Sequence, residues 1–273
     1  MVMILSQDTR DLHFDIYTRN RILSMAFFDK YLEFLKKVFS NTQIAMLVEF
    51  ERGDPQLVPI GEVDRQEIER ELDSGSIYIE DVGTSSFSTH LSEGGPFNKI
   101  SAAIDQELIG RSQFRSGYIA LIKLLATVSN ADLVFSYVAE APGYDTSYGA
   151  TPLSIGAGLR DVYWLNIYGR EFANLIGRDK LLGLPDCTAE ALDDGSIYVQ
   201  ISNEPLCIHR KESVKEHIGL QYFVKNSHVP NTEAVVKTGI VALVRHLLTV
   251  SGKSSGDTAQ AEKTPIFFEA REN

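Results

Sequence analysis

The sequence predicts an α+β protein built by internal duplication: two similar α/β lobes whose mixed sheets are covered by helices. Two observations predict it. The stretch LDSGSIYIE at 72–80 returns as LDDGSIYVQ at 192–200 with six identities in nine. Further along, GYIALIKLLATVS at 117–129 is answered by GIVALVRHLLTVS at 239–251, with seven identities and conservative Ile/Val and Lys/Arg exchanges. The matches are collinear at offsets of 120 and 122, which chance does not readily produce. They divide the chain into a first lobe at 1–131, a second at 132–251 and a tail at 252–273.

The elements follow in order. HFDIY (13–17) and LVFSYV (133–138) open the lobes as strands. SMAFFDKYLEFLKKVFSN (24–41) is an amphipathic helix, since Phe27, Phe28, Tyr31, Leu35, Val38 and Phe39 recur on one face and Asn41 is a stop signal. QIAMLVEF (43–50) and DVYWLNIY (161–168) read as matching strands. In the second, Tyr163, Leu165 and Ile167 alternate with Val162, Trp164 and Tyr168, so both faces want cover, as in a central strand. Each is followed by a helix, EVDRQEIERELD (62–73) and REFANLIGRDKLL (170–182). In LDSG and LDDG the Asp and Gly supply turn chemistry that ends a helix and begins a strand at once. SIYIE and SIYVQ then alternate as strands. A long connection leads to the helices at 117–129 and 239–251, apolar nearly all round and therefore buried.

The lobes differ most after their opening strands. Where the first has its amphipathic helix, the second has EAPGYDTSYGATPLSIGAGLR (140–160), a Gly, Pro and Ser-rich loop, and loops on rigid scaffolds tend to carry binding function. SGKSSGDTAQAEK (251–263) reads as a flexible linker before TPIFFEA, a candidate added strand.

Composition narrows the function. The chain of 273 residues is 44% hydrophobic and 23% charged, as expected of a folded globular protein. No apolar run reaches the ~20 residues of a membrane helix, because GIVALV is stopped by Arg245 and His246. The start lacks the pattern of a signal peptide, and a cytoplasmic location is expected. Two cysteines, Cys187 and Cys207, make no disulfide framework. A net charge of −11 argues against nucleic-acid binding, which needs clustered Lys and Arg, and favours a basic partner.

No catalytic pattern emerges. G-x-S-x-G, G-x-x-x-x-G-K-[ST] and G-x-G-x-x-G are all absent. Cys187, Cys207, His209 and His217 are too scattered for the paired ligands of a zinc site. Glu67, Glu69, Glu71 and Asp73 interleave with Arg65 and Arg70, which makes a solvated, salt-bridged helix face rather than acid–base machinery. His90 and His246 stand alone. No cofactor and no metal are expected.

The stretch YWLNIYGREFANLIGRDKLLGLP (163–185) resembles a segment of immunity proteins of bacterial polymorphic toxin systems. The resemblance rests on Trp164, Leu165, Asn166, Tyr168 and Gly169, then Ile176, Gly177, Arg178, Asp179, Lys180, Leu181 and Leu182. Arg170 and Glu171 stand where the family often has Pro. It implies an inhibitor that binds a cognate toxin, often a basic nuclease, without chemistry. On that reading the divergent loop makes the contact, with Tyr144 and Tyr148 as aromatic anchors and Glu140, Asp145 and Asp161 supplying charge. The tyrosines would otherwise cap the core. The alternatives are an enzyme or small-molecule-binding protein with a site between the lobes, or a pseudo-symmetric structural subunit; self-association stays open.

Overall fold

The computed structural model describes residues 11–39, 43–49, 54–83, 87–94, 97–105, 108, 111–138, 159, 161–205 and 210–223. Among them ten strands form one sheet: β1 (Asp11–Thr18), β2 (Ile44–Val48), β3 (Gln56–Pro59), β4 (Ser76–Asp81), β5 (Phe87–Ser92), β6 (Asn98–Asp105), β7 (Leu133–Val138), β8 (Leu165–Tyr168), β9 (Thr188–Ala191) and β10 (Ile197–Gln200). The order is β3-β2-β4-β5-β6-β1-β7-β8-β10-β9. The α+β class is as expected, but the mixed sheets are not found: every strand pairing in the sheet is antiparallel and the sheet runs continuously through both halves. The reason is local. Only five residues of sequence separate β4 from β5 and β5 from β6, and such short connections can only return antiparallel.

Six helices accompany the sheet among the described residues: α1 (Met25–Val38), α2 (Arg65–Asp73), α3 (Ser112–Ser129), α4 (Arg170–Ile176), α5 (Arg178–Leu182) and α6 (Lys211–Ile218). α1 begins at Ser24, whose hydroxyl accepts from the Phe27 amide, and buries Phe27, Phe28, Tyr31 and Leu35 as its periodicity predicts. Tyr31 reaches the sheet through a 2.6 Å hydrogen bond with Thr89. Tyr118 of α3 does the same with Ser136, at 2.7 Å. α1 and α3 therefore cover one face, where Phe14, Ile16, Ile77, Ile79, Leu91 and Ile100 are buried.

The repeated stretches have partly different fates. LDSG ends α2 and starts β4, with Gly75 at φ +95°, whereas LDDG is the turn of the hairpin β9–β10, with Gly195 at φ +85°. One register is nevertheless common to both halves. Met46 lies opposite Ile79 and Ala45 opposite Glu80; Asn166 lies opposite Val199 and Leu165 opposite Gln200, each 120 positions further on. The surroundings differ, since β4 sits between β2 and β5 and β10 between β8 and β9. The partner helix at 239–251, the linker at 251–263 and TPIFFEA lie outside the described residues.

Three further departures have physical causes. The connection between β4 and α3 contains the hairpin β5–β6, whose alternation is muted by the small residues Ser101, Ala102 and Ala103. The helix expected over 170–182 breaks at Gly177, which takes φ +111° between α4 and α5. The alternation in 161–168 changes sides, because the Asn166 side chain accepts from the Tyr163 amide at 3.1 Å and donates to its carbonyl at 2.8 Å, folding the chain before β8 begins. Tyr163 then packs on Phe135 and Tyr137, while Trp164 stacks on Tyr118 across the sheet. β8 is a central strand between β7 and β10, as expected, with all four residues buried.

The motif at 163–185 thus serves the scaffold. The Trp164 indole donates to the Ser202 carbonyl at 2.9 Å, Arg178 donates to the Gly195 carbonyl, and Phe172, Ile176 and Leu181 are buried. Gly169 passes so close to the chain at Ala131 and Asp132 that a Cβ would lie 2.8 Å from the Asp132 carbonyl oxygen. No described helix is long and apolar enough to cross a membrane.

Candidate interaction surface

Strand periodicity places Asp11, His13, Asp15 and Tyr17 on the face of β1 opposite to Leu12, Phe14 and Ile16. Register brings neighbours to them from both sides: Asp105, Ala103, Ser101 and Lys99 on β6, and Tyr137, Phe135 and Leu133 beside His13, Asp15 and Tyr17 on β7. Further out on the same face, Ser101 meets His90 of β5, which meets Tyr78 of β4. This is the face away from α1 and α3. His90 is exposed, and Tyr78, Glu80, Ser88, Ser101, Asp105 and Asp11 are half-buried.

At its centre the Lys99 ammonium lies 2.9 Å from Asp15, and the Tyr137 hydroxyl donates to the same carboxylate at 3.3 Å. Lys99 also sits 5.5 Å from the centre of the Tyr17 ring. His13 stacks on Tyr137 at 5.7 Å with the rings 13° apart. Tyr163 packs against Tyr137 at 5.2 Å and against Phe135 at 5.1 Å. The Tyr17 hydroxyl, fully buried, has no hydrogen-bond partner among the described residues, and neither does that of Tyr168. At the end of the strands Asp11 stands opposite Asp105 in register.

Burial dominates the electrostatics. It lowers the pKa of His13 against the pull of Asp15 and Asp11, and lowers that of His90 with help from Lys99. Burial and then the nearby Asp15 raise Tyr17 and Tyr137 above the ordinary phenol range. Tyr78 is pushed up to about 12 by burial and by its 2.7 Å hydrogen bond to Glu80. Aromatic rings and hydroxyls around the Lys99–Asp15 ion pair make a surface suited to recognition, with aromatic area and directional hydrogen bonds at low entropic cost.

Of the residues expected from sequence to make contact, Glu140, Tyr144, Asp145 and Tyr148 lie outside the described residues. β7 ends at Val138, which pairs with Leu12 beside Asp11. Asp161 lies inside the protein. It is 2% exposed, ion-paired with Lys211 and lies 3.4 Å from Lys215, and its other bond caps the Val162 amide at 2.9 Å. Its charge is therefore spent on anchoring α6.

Other acidic and thiol groups fall elsewhere. Glu67 pairs with Arg70 on an exposed helix face, but Glu71 turns inward, 7% exposed, and accepts from the Glu49 amide at 3.1 Å. Cys187 is a free thiol whose pKa burial raises. No group of three His, Cys, Asp or Glu among the described residues is placed to hold a metal ion. Sequence reading passed over His13, Asp15 and Tyr17; the signal was HFDIY itself, a strand that puts a histidine and a carboxylate on one side of its apolar residues.

No protein-family model matches the chain. No curated protein matches it either. The fold is similar to that of the Pseudomonas aeruginosa T6SS protein PA0821, with a TM-score of 0.56 over 88% of this chain and 72% of that one, at 11% sequence identity.

Proposed function

We propose that this chain is a cytoplasmic, non-enzymatic immunity protein that binds and neutralises a cognate, basic bacterial toxin. The observation that carries the reading is the half-open sheet face around His13, Asp15, Lys99 and Tyr137, which ends at the register partners Asp11 and Asp105. Acidic residues at the end of an aromatic, half-open face suit a cationic partner. The loop adds Glu140, Tyr144, Asp145 and Tyr148 from sequence, and the net charge of −11 speeds encounter with a basic protein. The fold's likeness to a T6SS protein and the immunity-protein pattern at 163–185 support the same direction. The reading includes a duplicated ancestral unit, supported by the common register of β2–β4 and β8–β10.

The test is calorimetric titration of the purified chain with the product of the neighbouring reading frame. Binding in the nanomolar range that weakens with salt and with Asp11→Lys, Asp145→Lys or Tyr144→Ala supports the proposal. Absence of binding across the genomic neighbours overturns it.

A further inference from the structure

The helices α1 and α3 leave between them an apolar groove of about 250 Å³, lined chiefly by Phe34, Val38, Phe114, Leu121 and Leu124, with Lys37 in its wall. A helix on the outside of a sheet normally turns polar residues to water. α3 instead leaves Leu124 40% exposed, and a Cβ added at Gly117 would meet nothing within 4 Å. Packing among the described residues therefore does not require glycine there, and the open backbone lets a further element come close.

A segment of this same chain needs such a place. GIVALVRHLLTVS (239–251) repeats the pattern of α3 at an offset of 122. At helical spacing Ile240, Leu243, Val244 and Leu247 stand at i, i+3, i+4 and i+7, while Arg245, His246 and Thr249 fall on the opposite side. Side chains of this kind forgo roughly 1.5–3 kcal/mol each when left in water.

The sheet itself suits the segment less well. α3 already covers its second half: Tyr118 is hydrogen-bonded to Ser136 of β7 at 2.7 Å, and Lys123 lies 3.8 Å from the centre of the Tyr198 ring of β10 and 2.6 Å from Glu190 of β9. On the opposite face β4, β5 and β6 present Tyr78, Ser88, His90 and Ser101, polar groups that an apolar stripe would desolvate without bonding. The groove is also within reach. Residues 224–238, which follow Phe223, span roughly 50 Å when extended, comparable with the width of a compact domain of this size.

We propose that residues 239–251 form a helix that lies in the α1–α3 groove of the same chain, with Ile240, Leu243, Val244 and Leu247 against Phe34, Phe114 and Leu124, and with Arg245 and His246 turned to water. A valley between two helices offers no free backbone donors or acceptors, so it fits a segment whose own backbone bonds are internally satisfied. The groove lies across the sheet from the proposed toxin-facing surface, and its occupation does not depend on that reading.

Hydrogen exchange of the full chain, read by mass spectrometry, tests this. Amides of 239–251 exchange about tenfold or more slowly than those of 252–263 in the native chain. Gly117→Leu, which the open space at that position tolerates, and separately Leu124→Asp remove this protection while peptides from β1 and β6 keep theirs. A benzophenone side chain placed at Ala120, on the groove wall and exposed, gives a second readout in an otherwise native chain: irradiation links it to 239–251 within a single chain. Unprotected amides at 239–251 in the native chain, protection that survives both groove variants, or a cross-link that lands outside 239–251 overturns the proposal. So does a cross-linked product of twice the chain's mass, because the occupant is then a second copy.

Discussion

The ammonium of Lys99 lies 2.9 Å from the carboxylate of Asp15, across the β1–β6 ladder and one row removed, among the aromatic rings of Tyr17 and Tyr137. Asp15 is almost fully buried and Lys99 about a third exposed, so the pair is screened on one side only. Lys99→Met leaves the carboxylate, among the described residues, with the Tyr137 hydroxyl and is expected to cost about 1–2 kcal/mol, discounted for the exposure of the lysine. The change Asp15→Asn added to it recovers part of that loss. A double-mutant cycle by urea denaturation measures both; additive losses would mean that the two side chains are energetically independent.

His13 supplies a pH dependence. Burial lowers its pKa below the ordinary 6.5 although Asp15 and Asp11 pull the other way. The folded state therefore favours the neutral ring. Its contribution is present above the unfolded value and is lost as pH falls through 6.5 towards the lower folded value. His90 adds to this in the same direction. Melting temperature is expected to drop between about pH 7.5 and about pH 5.5, and to drop less in the double variant His13→Gln, His90→Gln. An identical drop in both proteins would assign the effect to other groups.

Asp161 holds two lysines of α6 while almost wholly shielded from water. Asp161→Ala takes a buried carboxylate away from the Lys211 ammonium, which is itself about a tenth exposed, and is expected to cost about 3 kcal/mol. Replacing Lys211 with Met in the same chain relieves part of it. Chemical denaturation of the three variants checks the prediction, and a loss below about 1 kcal/mol for Asp161→Ala would show the clamp to be unimportant.

Gly169 has backbone, not side chain, in the way of a Cβ, so its neighbours cannot yield cheaply. Gly169 is the N-cap of α4, where alanine is the poorer residue as well, and Gly169→Ala is expected to destabilise by about 2–3 kcal/mol. A gain in melting temperature would mean that the close approach to Ala131 and Asp132 is absent in solution.

Sequence reading reached the elements whose side chains repeat with strong contrast. LVFSYV became β7 residue for residue, and Ser24 with its apolar stripe became α1. It missed β5 and β6, where serine and alanine stand on the strand faces and weaken the alternation. It extended one helix through Gly177, because apolar spacing continues across a residue whose φ the spacing does not encode. Asp161 illustrates the same limit for the site. A carboxylate next to a polar loop looks available, and only the tertiary position of Lys211, fifty residues away, shows that it is engaged. The cluster around Asp15 needed β6 and β7 to be brought together before its histidine, lysine and tyrosines became neighbours.

The most direct measurement of the toxin-binding account is calorimetric titration with the adjacent gene's product, on the native chain and on Asp11→Lys. The account predicts a one-to-one complex with the native chain and an affinity reduced about tenfold or more in the variant, without loss of folding. Equal affinities would show that the acidic end of the sheet is not the contact, and the absence of any complex with the native chain would contradict the account itself.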